Sequence, residues 1–232
     1  MNWLWDFVET AHDRLGDRER EALWTRGTSN DQIDLYRLGY VNQRLPDLSY
    51  PPEFLEWCWK GKRLRDMFVL PLTNTLGQVK GLQFRHVDPK EKGYSDYTPV
   101  EDEPITFGLA QAMPHVWRTQ AIWLVEGVFD VFPIQRVHPN VIPTLTNRVS
   151  DPMGRLLKRL VTDLWLAFDM DEKGREAVRK TSWNYREDFT IHDVRFPRPF
   201  ALDGKTRVKD PSELWETWGD DRFGKFLQGL TC

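Results

Sequence analysis

From about residue 120 onward the chain alternates short apolar runs with helical patterns, and this alternation restricts the fold more than any other feature. Segments 121–125 (AIWLV), 140–144, 163–168 (DLWLAF) and 190–196 read as strands, and 128–137, 152–162 and 173–183 carry helical periodicity between them. Strands separated by helices must cross over, so the pattern predicts βαβ units and a mainly parallel sheet. Ligands of such sheets sit beyond the carboxyl ends of the strands. Two of those ends are acidic: Glu126-Gly127 with Asp130 after the first strand, and Asp169-Met170-Asp171 after the third. Asp210, in Lys209-Asp210-Pro211, adds a further carboxylate.

Each signal has an ordinary reading on its own. An isolated D-x-D is as often a solvated turn, and a Glu before a helix start only favours the helix dipole. A calcium loop fails, because Lys173 and Lys180 stand at its fifth and twelfth positions, where oxygen ligands are needed. The conjunction is stronger. Positions i and i+2 of extended chain share a face, so Asp169 and Asp171 can reach one site. Clustered carboxylates repel unless cations neutralise them, and the set predicts Mg²⁺ or Mn²⁺.

Before residue 120 the sequence predicts amphipathic helices over 2–14 and 17–25, then a third that starts at Ser29 as N-cap and runs to about 38, stopped by Gly39. Segments 67–72 and 79–85 read as strands joined by turn chemistry over 74–77. The polar stretch 86–104, with Pro89, Gly93, Pro99 and Pro104, reads as a long loop. Residues 201–232 carry two more helical stretches, with Trp215, Trp218, Phe223 and Phe226 packing back.

A chain of 232 residues can bury a real core. Its net charge of −3 argues against a generic nucleic-acid-coating protein, though not against a catalyst whose acids bind metal. Most of the eleven Trp are expected as core or interface anchors, with one or two left to stack on bases. Two Cys and five His show no zinc-ligand pairing, so no zinc and no disulfide framework is expected, which fits a reducing cytoplasm. The first residues hold no basic n-region and no long apolar run, so neither a signal peptide nor a membrane span is expected.

IWLVEGVFD followed by LWLAFDMDEKGREA resembles the TOPRIM domain of topoisomerases and primases, over about residues 120–200. Four further stretches narrow the resemblance to DNA primases of the bacterial and phage DnaG type: TRGTSNDQIDLYRLGY (25–40), MFVLPLTNTLGQVKGLQFR (67–85), TFGLAQA (106–112), and Asp203-Gly204 with Lys209-Asp210-Pro211-Ser212-Glu213. They keep the family's order. The resemblance implies an α/β chain: a primase-core subdomain over 1–118, a Rossmann-like TOPRIM domain over 119–200 and a C-terminal helical extension over 201–232.

It further implies short RNA primers made on a single-stranded DNA template from NTPs, with Glu126, Asp169 and Asp171 as catalytic metal ligands. Asp130, Asp203 and Asp210 would extend the acidic site. Arg65, Arg85, Lys92 and Lys173 would face nucleic-acid or nucleotide phosphates. Some expected features have no match. The zinc module before the family's core, the helicase-binding domain after it and at least one lysine of its basic segment near Lys92 are not found. The glycine-rich turn after the second TOPRIM strand reads Thr144-Leu145-Thr146-Asn147. A replicative helicase or a separate zinc-bearing subunit is therefore an expected partner, in a bacterial host cytoplasm if the chain is phage-encoded. A TOPRIM nuclease and a non-catalytic primase-like binder of helicase or DNA are the alternatives.

Overall fold

The computed structural model describes residues 3–42, 50–59, 64–91 and 93–231. Helices α1 (Trp3–His12), α2 (Asp17–Trp24), α3 (Asn30–Leu35) and α4 (Pro52–Trp59) accompany strands β1 (Gly39–Val41), β2 (Met67–Thr73), β3 (Val79–His86), β4 (Tyr94–Tyr97) and β5 (Thr106–Phe107). The second half runs α5 (Leu109–Thr119), β6 (Ala121–Val125), α6 (Val128–Gln135), β7 (Val141–Pro143), α7 (Asp151–Leu160), β8 (Asp163–Leu166), α8 (Glu172–Tyr185), β9 (Thr190–Asp193) and α9 (Pro211–Leu230).

The first sheet is antiparallel, in the order β1-β2-β3-β4 with β5 also on β2. The second is parallel throughout, in the order β7-β6-β8-β9. The chain leaves β6 towards β7 and leaves β8 towards β9, in opposite directions. A crevice therefore opens above the β6–β8 boundary, where doubly wound sheets bind ligands.

Alternation along the parallel strands feeds two apolar layers. Ile122, Leu124, Leu164 and Leu166 pack under α5, α7 and α8 through Met113, Leu157 and Ala177. Trp123 and Val125 face the other way, with Phe132 of α6 and Leu214, Phe223 and Leu227 of α9. That second layer also takes in Leu23, Ile33 and Phe107 from the N-terminal part, so one core runs through all three sequence segments. A separate aromatic cluster under the antiparallel sheet joins Phe7, Phe54 and Phe84. Across the parallel sheet the rings of His138, Trp123, Trp165 and His192 stack in a ladder, with centroids 4.2, 5.0 and 4.0 Å apart. Its register follows from pairing of Trp123 with Trp165 and of Trp165 with His192.

Several expectations need correction. The third helix is capped by Ser29 as predicted, with the Gln32 amide donating to its hydroxyl, but it ends at Leu35. The break comes from Arg37 at φ 51°, not from Gly39, which lies in β1. Gly39 is required there for space: a Cβ would lie 2.6 Å from that of Ala11. The stretch read as a loop over 86–104 contains β4, which pairs with β3. The two expected C-terminal helical stretches are both present, within α9, and meet at a non-helical break at Gly219, where φ is 73°. Most of the described tryptophans are core anchors as expected: Trp123 is buried, and Trp3, Trp57, Trp165, Trp215 and Trp218 pack against the apolar clusters, while Trp5, Trp24, Trp117 and Trp183 are exposed.

Candidate active site

β6 and β8 are adjacent and in register, so the residues that follow them meet above the crevice. The Asp169 amide donates to Glu126 Oε1 at 3.2 Å, which ties the two acidic turns together. Asp130, one turn into α6, is buried and doubly held: the Gly127 amide donates to Oδ2 at 3.2 Å and the Ser212 amide to Oδ1 at 3.1 Å. Gly127 is needed in this turn because a Cβ would stand 2.9 Å from Asp130 Oδ2. Asp210 caps α9, accepting from the Glu213 amide at 2.7 Å, and the Met170 amide donates to Lys209 O at 2.6 Å. The start of α9 is thereby fixed beside both acidic turns.

Glu126, Asp130, Asp169 and Asp210 line one cavity of about 330 Å³, closed on the far side by Arg85 and Tyr94 and rimmed by Leu145, Thr146 and Asn147. Arg85 lies over the Tyr94 ring, 5.1 Å from its centroid. Burial pushes the Asp169 carboxyl up to about 8, reinforced by Glu126, Asp210 and Asp171. Burial raises Asp210 to about 6, and Glu126 and Asp130 also lie above the usual carboxylate range. These acids ring the cavity; among the described residues no three of them converge on a single point.

The other expected site residues do not line this cavity. Asp171 caps α8, accepting from the Gly174 amide at 2.9 Å, and acts on Glu126 and Asp169 through its charge. Asp203 is engaged in its own turn, where the Lys205 and Thr206 amides and the Thr206 hydroxyl donate to it. Arg65 and Lys173 are exposed and do not line the cavity. Lys92 lies outside the described residues.

Sequence reading missed Arg26. Its guanidinium donates to the carbonyls of His86 and Val87 at 2.9 and 2.8 Å, and lies 4.5 Å from the Phe129 ring centroid. Burial and the neighbouring Arg85 hold it down at about 10. It joins the N-terminal helices, the end of β3 and α6, and so sets the wall that carries Arg85. The only available signal was its place beside Gly27 in the TRGTS stretch.

The acids make a prediction for the metal-free protein. In the folded state Asp169 holds a proton that the unfolded chain has lost between about pH 4 and 8, and Asp210 does so between about pH 4 and 6. Their contribution to stability is complete below the unfolded value and is lost as pH rises through the folded values. Melting temperature in EDTA is therefore expected to fall from pH 5 to 8.5, and Mg²⁺ to remove most of that fall. Calorimetric scans at three pH values check it; a metal-free melting temperature that rises over this window contradicts it.

Comparison with known proteins agrees with this fold. A family profile described as Toprim-like matches residues 123–214. The DNA primase of Staphylococcus aureus (strain COL) is 26% identical over 171 residues, covering 72% of this chain and 27% of that protein. The DNA primase of Treponema pallidum (strain Nichols) is 25% identical over 239 aligned positions, covering 95% of this chain and 38% of its own length. The chain thus spans well under half the length of these curated relatives. Among solved structures, the E. coli primase catalytic core superposes with a TM-score of 0.75 at 19% identity, over 99% of this chain and 78% of that one. A DnaG primase catalytic domain bound to ssDNA gives 0.73 at 20% identity, over 98% and 78%. The parallel sheet with its acidic strand ends is a TOPRIM-like fold. Taken with the antiparallel sheet and α9, the whole chain has the fold of the DnaG-type primase catalytic core, which it resembles in sequence and in structure.

Proposed function

We propose that this chain makes short RNA primers on single-stranded DNA by nucleotidyl transfer from NTPs, dependent on Mg²⁺ or Mn²⁺. The observation that carries this reading is one cavity lined by Glu126, Asp130, Asp169 and Asp210 and closed by Arg85, at the switch point of a primase-like fold. The donor set fits a hard divalent cation: every group is an oxygen donor, and the mutual repulsion that raises these carboxyls is what a cation relieves. Glu126 and Asp169 would hold it, with Asp171 and Asp210 adding negative charge. Bound there, such an ion neutralises phosphate charge and lowers the pKa of an attacking hydroxyl.

The chain's own groups supply positioning. Asp130 clamps the Gly127 turn to the start of α9 and so fixes Glu126 opposite Asp210. Arg85, held by Tyr94 and crowded by Arg26, presents a fixed positive group towards a phosphate in the cavity. Phosphoryl transfer depends mainly on such positioning and charge. A replicative helicase or a zinc-bearing subunit would supply template selection, because contacts to backbone phosphates carry no sequence information. Action in the cytoplasm fits; among the described residues no helix is long and apolar enough to cross a membrane.

The deciding experiment incubates the protein with NTPs, Mg²⁺ or Mn²⁺ and a single-stranded DNA template. New oligoribonucleotides support the proposal. Shortened DNA indicates a nuclease, and neither product indicates a binder. Binding of single-stranded DNA is expected to weaken steeply with salt, since a chain of net charge −3 must bind through a local basic patch. Arg85→Ala should weaken it and reduce the log–log salt slope by about 0.7, the share of one phosphate contact on a single strand. Anisotropy titrations over a salt series test this. A slope unchanged by Arg85→Ala removes Arg85 from the interface.

A further inference from the structure

A second cavity, of about 420 Å³, lies on the other side of the Asp169 turn, between α8 and the segment after β9. Its lining combines Arg175, Arg179, Arg195 and Arg198 with an apolar floor that includes Phe168 and Phe196. Only Asp169 and Asp193 offset the four guanidiniums. Arg175 and Arg179 lie one helical turn apart, a like-charge spacing that helices disfavour. All four side chains reach solvent, and three of them make a hydrogen bond within the chain. Arg175 donates to Met170 O at 2.7 Å, Arg198 Nε to Val208 O at 3.3 Å and Arg195 Nε to Asp193 Oδ2 at 2.9 Å. Each keeps further N–H groups for a ligand. Arg179 makes no hydrogen bond or short ion pair among the described residues.

From this arrangement we infer that the cavity is a nucleotide-binding subsite separate from the acidic cavity, with arginines taking the phosphates and the apolar floor taking the base. The volume suits one small ligand, since such pockets run from roughly 300 to 1,000 Å³. Guanidinium forks match phosphate oxygens two at a time. A buried apolar floor gives a base a dry surface that a backbone phosphate alone would not use. Asp169 stands between the two cavities, so a nucleotide here would lie beside the acidic turn without displacing its carboxylates. A free nucleotide and one nucleotide of a strand share this chemistry.

The test measures binding of ATP, adenosine and single-stranded dT₈ in EDTA, a condition in which the acidic cavity repels phosphate. ATP is expected to bind the wild-type chain more tightly than adenosine. Arg179→Ala and Arg195→Ala should each weaken ATP binding about tenfold, the loss expected for one charge-assisted contact. Arg186→Ala, at the far end of α8, should leave it unchanged. If only dT₈ shows the arginine dependence, the site takes a nucleotide within a strand. If neither ligand does, or if adenosine binds as well as ATP, the inference is wrong. The readout uses no metal and no turnover, so it succeeds or fails independently of primer synthesis. Arg179 makes no internal bond, so its loss should leave the fold intact, and a circular-dichroism melt checks this.

Discussion

Replacing Asp169 by Asn is expected to lower primer synthesis by about a thousandfold or more, because a metal's stabilisation of phosphoryl transfer is worth several kcal/mol. The same change should raise the melting temperature of the metal-free protein at pH 8. Asn keeps the shape of the side chain and removes the charge. The Asp169 amide that donates to Glu126 belongs to the backbone and survives the substitution. In the wild type that carboxyl is held up to about 8 by burial and by three neighbouring acids, so ionising it costs folding free energy. Asn does not ionise, and Glu126, Asp210 and Asp171 lose a repelling neighbour. Opposite signs for activity and stability separate a ligand from a packing residue, which would lose both. Glu126→Gln should behave alike. Asp171→Asn should also lose synthesis while keeping its α8 cap, since Asn caps helices as well as Asp does. Near wild-type synthesis by Asp169→Asn at limiting Mg²⁺, or a lower melting temperature in EDTA, would sink the assignment.

The elements that the sequence made legible are those with a local signal. The strands around Trp123 and Trp165 are short apolar runs bounded by Gly or Asp, and Ser29 announces its helix three residues before Gln32. The acids at the strand ends could be read as a set because βαβ order places such ends together. Side-chain destinations were not legible. Asp203 and Asp210 are both exposed-looking acids near a proline, yet one closes its own turn and the other faces the cavity. Nothing local separates them; the difference is the Met170–Lys209 backbone contact, 39 residues apart in sequence by the numbering. β4 was hidden because YSDY, behind Gly93, is a polar strand, and its pairing with β3 depends on tertiary contact. Arg26 reads as one surface charge among many until Phe68 and Phe129 cover it. The arginine cavity is dispersed in the same way: two of its residues lie on α8 and two follow β9.

Gly174→Ala should be the most damaging single methyl added to this chain. An ideal Cβ at Gly174 would lie 2.0 Å from Asp169 O and 2.6 Å from Asp169 C. Those are backbone atoms, so no rotamer change relieves the clash; either α8 or the Asp169 turn must move. Overpacking of this kind costs about 3 kcal/mol even after Ala's better helix propensity is credited. For a chain of this size that corresponds to a melting temperature lower by about 6–12 °C. The functional loss should be larger than the folding loss. The Gly174 amide also donates to Asp171 Oδ1, so displacing it disturbs both carboxylates of the D-x-D turn. A displacement of about 1 Å in a catalytic group can cost a hundredfold in rate, and such a loss is expected at a temperature where the variant remains folded. Gly224→Ala is the contrasting case. It lies inside α9, its Cβ would meet only Val137 Cγ2 at an ordinary 3.7 Å, and it should stabilise by up to about 1 kcal/mol. Melting curves and primer synthesis for the two variants give the check. If Gly174→Ala melts with the wild type and keeps full synthesis, the close packing of α8 on the Asp169 turn does not hold the acidic site in place.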